Sequence, residues 1–387
     1  DYSLLAEIKK INVKIYRAFS LENKLLNIII PKFLQRIGLR ELADMLRVPD
    51  QYAGWLPHAV IKGINILRKE KCKALISTSK PEVCHIVALI LKKVANIPWI
   101  ADFRDPWTTN PYSLFSSTSY KLLSLLELEV LRSADIITVI NKTIKKQLKL
   151  KYREFLPDLE KKIVVIPHCY DFKDALKIER VSIYEGQVNK RLINVVYAGS
   201  IYGTRIDTLH LLFKVLSDHK SSFLNKIKFE FIGPSTAVVK ALAEKYKIFN
   251  ELVFIRPFME KEALIEYLRA KADALLLIVG YTPKDLMTIT GKIFEYLILC
   301  KPIIVLSLRE AEAYNVITKV KYSIAIDKPS ELYEKLNIFV KEYHKYVSIA
   351  KSECRKLLDE LLKVYDASRV IEKFSVLLPL FAHPLYF

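Results

Sequence analysis

The stretch ALLLIVGYTPKDLMTITGKIFEYL, residues 274–297, decides the fold. Ala274–Val279 is a short β-rich apolar run that stops at Gly280. The loop Tyr281–Ile289 follows, and from Thr290 the apolar positions Ile293, Phe294, Leu297 and Ile298 recur at helical spacing. A strand therefore leads through a loop into a helix start. Thr290, or the residue before it, is placed to cap that helix, leaving the backbone N–H groups of Gly291, Lys292 and Ile293 pointing outward.

The same alternation runs through most of the chain. Further strand-like runs are Ala74–Ser77, Trp99–Asp102, Ile136–Ile140, Ile163–Ile166, Asn194–Tyr197, Lys228–Ile232, Ile303–Leu306 and Ser323–Ile326, with amphipathic stretches between them. Strand alternating with helix predicts α/β architecture with parallel sheets covered on both faces. Between about Asp171 and Leu192 the rhythm lapses into a charged, irregular stretch, so a domain boundary is expected there. The expected organisation is two Rossmann-like domains facing a cleft, over 1–185 and 190–365, with C-terminal helices that end in 366–387 and cross back to the first domain.

In open parallel sheets, ligands bind beyond the carboxyl ends of the strands. Strand Asn194–Tyr197 runs into Gly199, Gly203 and Arg205, and strand Lys228–Ile232 ends at Gly233. The glycines let a ligand approach the backbone, and Arg205 offers a fork of donors suited to phosphate. The outward helix start at Thr290 and Gly291, with Lys292 beside it, suits an anion. Glu295, three residues later on the same face, suits ribose hydroxyls. Together these residues look built for a nucleoside diphosphate. A capped helix with a surface Lys–Glu pair is the plainer reading of 290–297 alone.

In the first half, the run Ile97-Pro98-Trp99-Ile100-Ala101-Asp102-Phe103-Arg104-Asp105-Pro106-Trp107 ends a strand in two carboxylates and an arginine. Asp102, Arg104 and Asp105 are candidate catalytic groups on an acceptor wall, or else an ion-pair network that locks a loop. His85, on the helix after Thr78-Ser79-Lys80-Pro81-Glu82, is a further catalytic candidate; a packed histidine is the plainer alternative.

These runs, with Trp55-Leu56-Pro57, Val196-Tyr197-Ala198-Gly199 and Gly291-Lys292-Ile293-Phe294-Glu295-Tyr296-Leu297, resemble family 4 glycosyltransferases of the GT-B fold from about Trp55 to Ile304. The resemblance implies a retaining hexosyltransferase. Its UDP- or GDP-sugar donor would be held by the second domain through Gly199, Arg205, Thr290, Gly291, Lys292 and Glu295. Its glycan or lipid-linked acceptor would lie on the first domain. It also implies no cofactor and no metal, and the chain contains no Asp-x-Asp. Two features depart from the family. Eight positions before Glu295 stands Met287 where many members carry a second glutamate. The usual opening strand and glycine-rich loop have no counterpart, the first glycine being Gly38. The chain opens on Asp1, so processing or a missing N-terminal unit is expected. A catalytically silent GT-B paralogue acting as a scaffold, or an epimerase or hydrolase of nucleotide sugars, are the alternatives.

Composition bounds the rest. In 387 residues, 51% are hydrophobic and only nine are glycine, which excludes collagen-like and low-complexity classes. Lys and Arg exceed Asp and Glu by 61 − 42 = 19, and residues 1–190 carry +12 of that excess. Residues 141–162 hold eight Lys or Arg against three acids, with Ile144, Leu148 and Tyr152 four apart. The stretch reads as a basic amphipathic helix for an anionic membrane surface, or as a solvated lysine-rich face. No nucleic-acid partner is expected. No apolar run approaches the roughly 20 residues of a membrane span. The five cysteines, odd in number and lacking any Cys-x-x-Cys pair, read as buried thiols in a reducing compartment. A cytoplasmic protein, peripheral at the inner face of the membrane, is the resulting expectation.

Overall fold

The computed structural model describes residues 13–21, 29–46, 48–110, 112, 116–170 and 192–378. Among these, strands β1 (Leu75–Ser79), β2 (Trp99–Phe103), β3 (Ile136–Val139) and β4 (Ile163–Val165) form one parallel sheet in sequence order. A second sheet contains β5 (Ile193–Ala198), β6 (Ile227–Ile232), β7 (Val253–Arg256), β8 (Ala274–Gly280), β9 (Ile303–Ser307) and β10 (Ser323–Ile326). Its order is β10-β9-β8-β5-β6-β7, again all parallel. The chain moves outward from β5 in one direction, then returns and moves outward from β8 in the other. The carboxyl ends of β5 and β8 therefore flank the crevice where such sheets bind ligands.

Every residue of β5, β8 and β9 is buried, because helices cover both faces of the second sheet. Val195, Tyr197, Leu276 and Ile278 pack into the core on one face, while Val196, Leu275, Leu277 and Val305 pack into the core on the other. In the first sheet, the helix Val83–Ala95 returns the chain from β1 to β2 and stops at Asn96 in the left-handed region (φ 47°), a conformation asparagine tolerates well.

The 23-residue helix Tyr343–Tyr365 packs on the second domain through Val347 on one side of its sheet and Ala350, Leu358 and Leu361 on the other. At Asp366 the chain turns back. Tyr170 N donates to Tyr365 O (2.9 Å), Ala367 N donates to Tyr170 O (3.1 Å), and Asp366 caps the helix Ala367–Leu377 by accepting from Ser368 N (3.0 Å). Val370 and Leu377 then join Ile100 and Ile166 beneath the first sheet.

Several expectations are corrected. Strand β7 had no counterpart among the predicted runs. It is a four-residue edge strand with a single partner, and only Val253 is fully buried, so its apolar signal is short. The cysteines are not all separate buried thiols. Cys300 and Cys354 form a disulfide between the end of the Lys292–Ile298 helix and the long helix, and Cys72 and Cys169 are exposed. The pairing was invisible because folding alone brings positions 54 residues apart together. The helix Lys142–Tyr152 is amphipathic as expected, but Ile144, Leu148 and Tyr152 are buried in the first domain's core. Burial of Ile144 and Leu148 contributes about 2 kcal/mol each, so this face is unavailable to lipid and the outward side carries the lysines together with the exposed Leu150. The predicted boundary stretch lies almost wholly outside the described residues, as do residues 379–387. No helix among the described residues is long and apolar enough to cross a membrane.

Candidate functional site

A cavity of about 600 Å³ opens between the two sheets. Its second-domain wall is built from strand exits. Gly199, Gly233 and Gly280 end β5, β6 and β8 with φ of +135°, +148° and +139°, conformations that exclude other side chains without strain. Gly199 N donates to Ile232 O (2.7 Å), and a Cβ at Gly233 would strike the Gly199 carbonyl. The two turns thus touch backbone to backbone.

Lys292 fills the space this creates. Its Nζ lies against Gly199, donates to Tyr197 Oη (3.2 Å), and sits 4.7 Å from that ring's centroid. The helix Lys292–Ile298 that carries it is fixed by buried Ile293, Phe294 and Leu297, and by Tyr296 Oη accepting from Ala198 N (3.0 Å). Arg205, buried in the first turn of Thr204–Asp218, holds its guanidinium 4.8 Å from the Tyr202 ring centroid. Burial first, and the Arg205 charge second, push Lys292 down to about 8, with Glu295 opposing. Two cations thus converge beside a glycine-lined backbone. Unneutralised like charges at a partly desolvated site are costly, and an anionic ligand relieves that cost.

Asp285, fully buried in the loop after β8, joins the two walls. It accepts from Tyr112 Oη of the first domain, and from Thr204 Oγ1 (2.6 Å), Thr282 Oγ1 (2.8 Å) and Thr282 N (3.0 Å) of the second. Gly280 is required here as well, because a Cβ would fall on Asp285 Oδ2. Nearby, Asn141 Nδ2 donates to Met287 O (3.0 Å) and Thr143 Oγ1 to Glu312 Oε1 (2.7 Å). Lys80, Asp105, Asn110 and Tyr112 form the first-domain wall.

Of the residues predicted from sequence, Asp105, Gly199, Arg205, Thr290 and Lys292 line the cavity together. The rest lie elsewhere. Asp102 ties the sheet, accepting from Thr78 Oγ1 (2.9 Å) on β1 and Thr138 Oγ1 (2.6 Å) on β3, its register partners. Arg104 is exposed and its Nη2 lies 3.5 Å from His168 Nδ1. His85 is corrected outright. It is fully buried, stacked on Phe103 at 4.6 Å and paired with Ser77 Oγ (2.7 Å), and burial pulls it down to about 3, so it is a neutral core residue.

The helix start is also not the open anion site expected, and its N-cap is Gly291, with no side-chain capping bond, rather than Thr290 or the residue before it. Lys292 N is taken by Thr290 Oγ1 (3.3 Å) and Ile293 N by Thr290 O (3.1 Å). The Lys292 side chain, rather than the N–H groups, reaches the cavity. Glu295 is half-buried outside the lining. Burial raises its pKa, and the Lys261 and Lys292 charges counter the rise. Sequence reasoning missed Lys284, Tyr112 and Asp285, which nothing local marks out.

No protein-family model matches the chain, and no curated protein matches it. Solved structures do. A glycosyltransferase from Rickettsia africae aligns over 99% of this chain and 88% of its own, with 13% identity and a TM-score of 0.60. Anabaena HepE, solved in complex with UDP-glucose, aligns over 83% of this chain and 81% of its own, with 14% identity and a TM-score of 0.57. A trehalose 6-phosphate synthase from Burkholderia multivorans aligns over 94% of this chain and 82% of its own, with 12% identity and a TM-score of 0.60. The two-sheet α/β architecture is the GT-B fold.

Proposed function

We propose that this protein is a glycosyltransferase of the family 4 type that moves a hexosyl group from a UDP- or GDP-sugar to a glycan or lipid-linked acceptor, with retention and without a divalent metal. The observation that carries the reading is the convergence of Lys292 and Arg205 at the glycine-lined exits of β5 and β6. The UDP-glucose complex of the similarly folded HepE supports it.

In this reading Lys292 and Arg205 neutralise the diphosphate as negative charge grows on the leaving group, the task a metal performs elsewhere. The chain's lack of Asp-x-Asp accords with that. Glu295, on the helix that carries Lys292, accepts from the ribose hydroxyls, and Thr290 lines the donor side. Lys80, Asp105 and Asn110 face the acceptor. Cell-surface polysaccharide assembly is the setting these substrates suit.

Calorimetry with UDP, GDP and ADP tests the reading. UDP or GDP is expected to bind, and Arg205→Ala or Lys292→Ala to weaken that binding by about tenfold or more, as expected on losing a charge-assisted contact. Absence of binding to all three nucleotides, or binding that neither substitution alters, refutes it.

A further inference from the structure

Lys292 and Arg205 converge on one side of the cavity, and Lys80, Asp105 and Asn110 stand on the first-domain wall. A sugar carried by a diphosphate at the two cations and passed to an acceptor on that wall lies between them. The loop after β8 closes this interval. Met287, Thr288, Ile289 and Thr290 line the cavity in succession and lead into the helix that starts at Lys292. Asn141 Nδ2 holds the loop against the first domain by donating to Met287 O (3.0 Å). Ile140, the residue just past β3, lines the cavity as well, and both Ile140 and Met287 pack on the first domain's core. The domains thus meet at two apolar side chains that are each only part-buried and face the cavity.

Most polar groups near this corner are already engaged. Asp285 accepts from Tyr112, Thr204 and Thr282, and Glu312 accepts from Thr143. Thr290 Oγ1 accepts from Lys292 N (3.3 Å), and Thr288 interacts with the Tyr112 hydroxyl. Among the described residues that line the cavity, Asp105 is the one carboxylate, and it belongs to the first-domain wall. Exposed Lys80 and Lys284 also line the cavity and remain for the sugar's other hydroxyls. A hydroxyl turned toward Met287 and Ile140 would leave water and find no side chain to pair with, whereas a methyl group there gains by burial.

We propose that the donor sugar presents a methyl group to Met287 and Ile140, so that the protein selects a 6-deoxyhexose or an N-acetylated hexosamine over the plain hexose. The inference rests on the donor reading above and specifies its sugar. Two sources supply the same chemistry: the C6 methyl of a 6-deoxy sugar, or the acetamido methyl of an N-acetylated one.

Calorimetry of the full chain tests it with UDP, UDP-glucose, UDP-6-deoxyglucose and UDP-N-acetylglucosamine or, where GDP is the nucleotide bound, with GDP and the same three substitution patterns on GDP-mannose. One methyl-bearing sugar should bind about tenfold tighter than its plain counterpart, the selectivity an apolar contact confers on one small group. Which of the two does so identifies the source of the methyl. Met287→Gln keeps the side-chain length, brings a polar end, and should reduce that ratio to less than about twofold. Ile140→Thr trades apolar surface for a hydroxyl and should lower the ratio too, with melting temperature as the folding control for both. Because the readout is a ratio, a general loss of nucleotide affinity cancels. Nucleotide binding without preference for either methyl-bearing sugar overturns the inference and leaves the donor reading standing, as does a preference that both variants retain. No binding of any nucleotide overturns the two together.

Discussion

The ε-amino group of Lys292 occupies the place where residue 199 would carry its Cβ were it anything but glycine. Gly199 also has a φ of +135°, so two independent constraints meet at one atom. Gly199→Ala should displace Lys292 from Tyr197, lower nucleotide affinity by about tenfold, and destabilise the fold by about 1–3 kcal/mol. Calorimetry and urea unfolding read the two effects separately.

Lys292 is largely buried, pressed against a backbone turn and opposed by Arg205. Lys292→Met keeps the side-chain length and removes the charge. The free protein should gain about 1 kcal/mol, seen as a rise of a few degrees in melting temperature, while nucleotide binding is lost. A purely structural lysine would give the opposite stability change.

Binding should also be linked to pH. Lys292 sits at about 8 in the free protein. A bound diphosphate favours the ammonium, raises that value, and so draws in a proton near pH 8. Affinity is expected to be level below about 8 and to fall as pH rises through it. Calorimetry in buffers of differing ionisation enthalpy should record proton uptake, which Lys292→Arg should abolish.

Tyr112 and Asp285 join the domains through one hydrogen bond to a buried carboxylate. Tyr112→Phe removes the donor and keeps the ring. It should cost about 1–2 kcal/mol and widen the distribution of domain separations, read by small-angle scattering as a larger radius of gyration in the free protein. Asp285→Ala should be more severe, about 2–4 kcal/mol, because Thr204 and Thr282 lose their acceptor as well.

His85 should govern acid stability. The unfolded chain takes up this proton near 6.5, while the folded chain holds off until about 3. Between those values the unfolded state binds more protons, so stability falls as pH drops, by on the order of 4 kcal/mol at the lower end. His85→Leu should flatten that acid limb in denaturant titrations while leaving nucleotide binding unchanged. Loss of binding with stability intact would instead return His85 to the site.

Legibility followed the range of each interaction. Nine of the ten described strands were visible as short β-rich runs, most plainly β5, β8 and β9, because a strand buried on both faces must be apolar along its length. The glycines at 199, 233 and 280 were equally visible, since each marks a strand exit with positive φ. Within the 290–297 segment, the sequence named Lys292 correctly as a cavity residue but assigned the anion contact to three N–H groups, two of which, on Lys292 and Ile293, Thr290 already engages. A neighbouring hydroxyl or carbonyl and a ligand compete for the same donors, and residue types alone do not settle that competition.

The sequence by itself determined the α/β alternation, the parallel sheets, the glycine-marked exits and the cations Arg205 and Lys292. These depend on local periodicity and backbone conformation. Tertiary structure alone decided that Asp102 cross-links three strands, that His85 is sealed in the core, and that Cys300 meets Cys354. It also decided that Asp285 bridges the domains and that the helix at 142–152 turns Ile144, Leu148 and Tyr152 into the core. The physical reason is common to all of them. Whether a side chain is buried, paired or left open is set by which distant element packs against it, and a residue's neighbours in the chain carry no record of that.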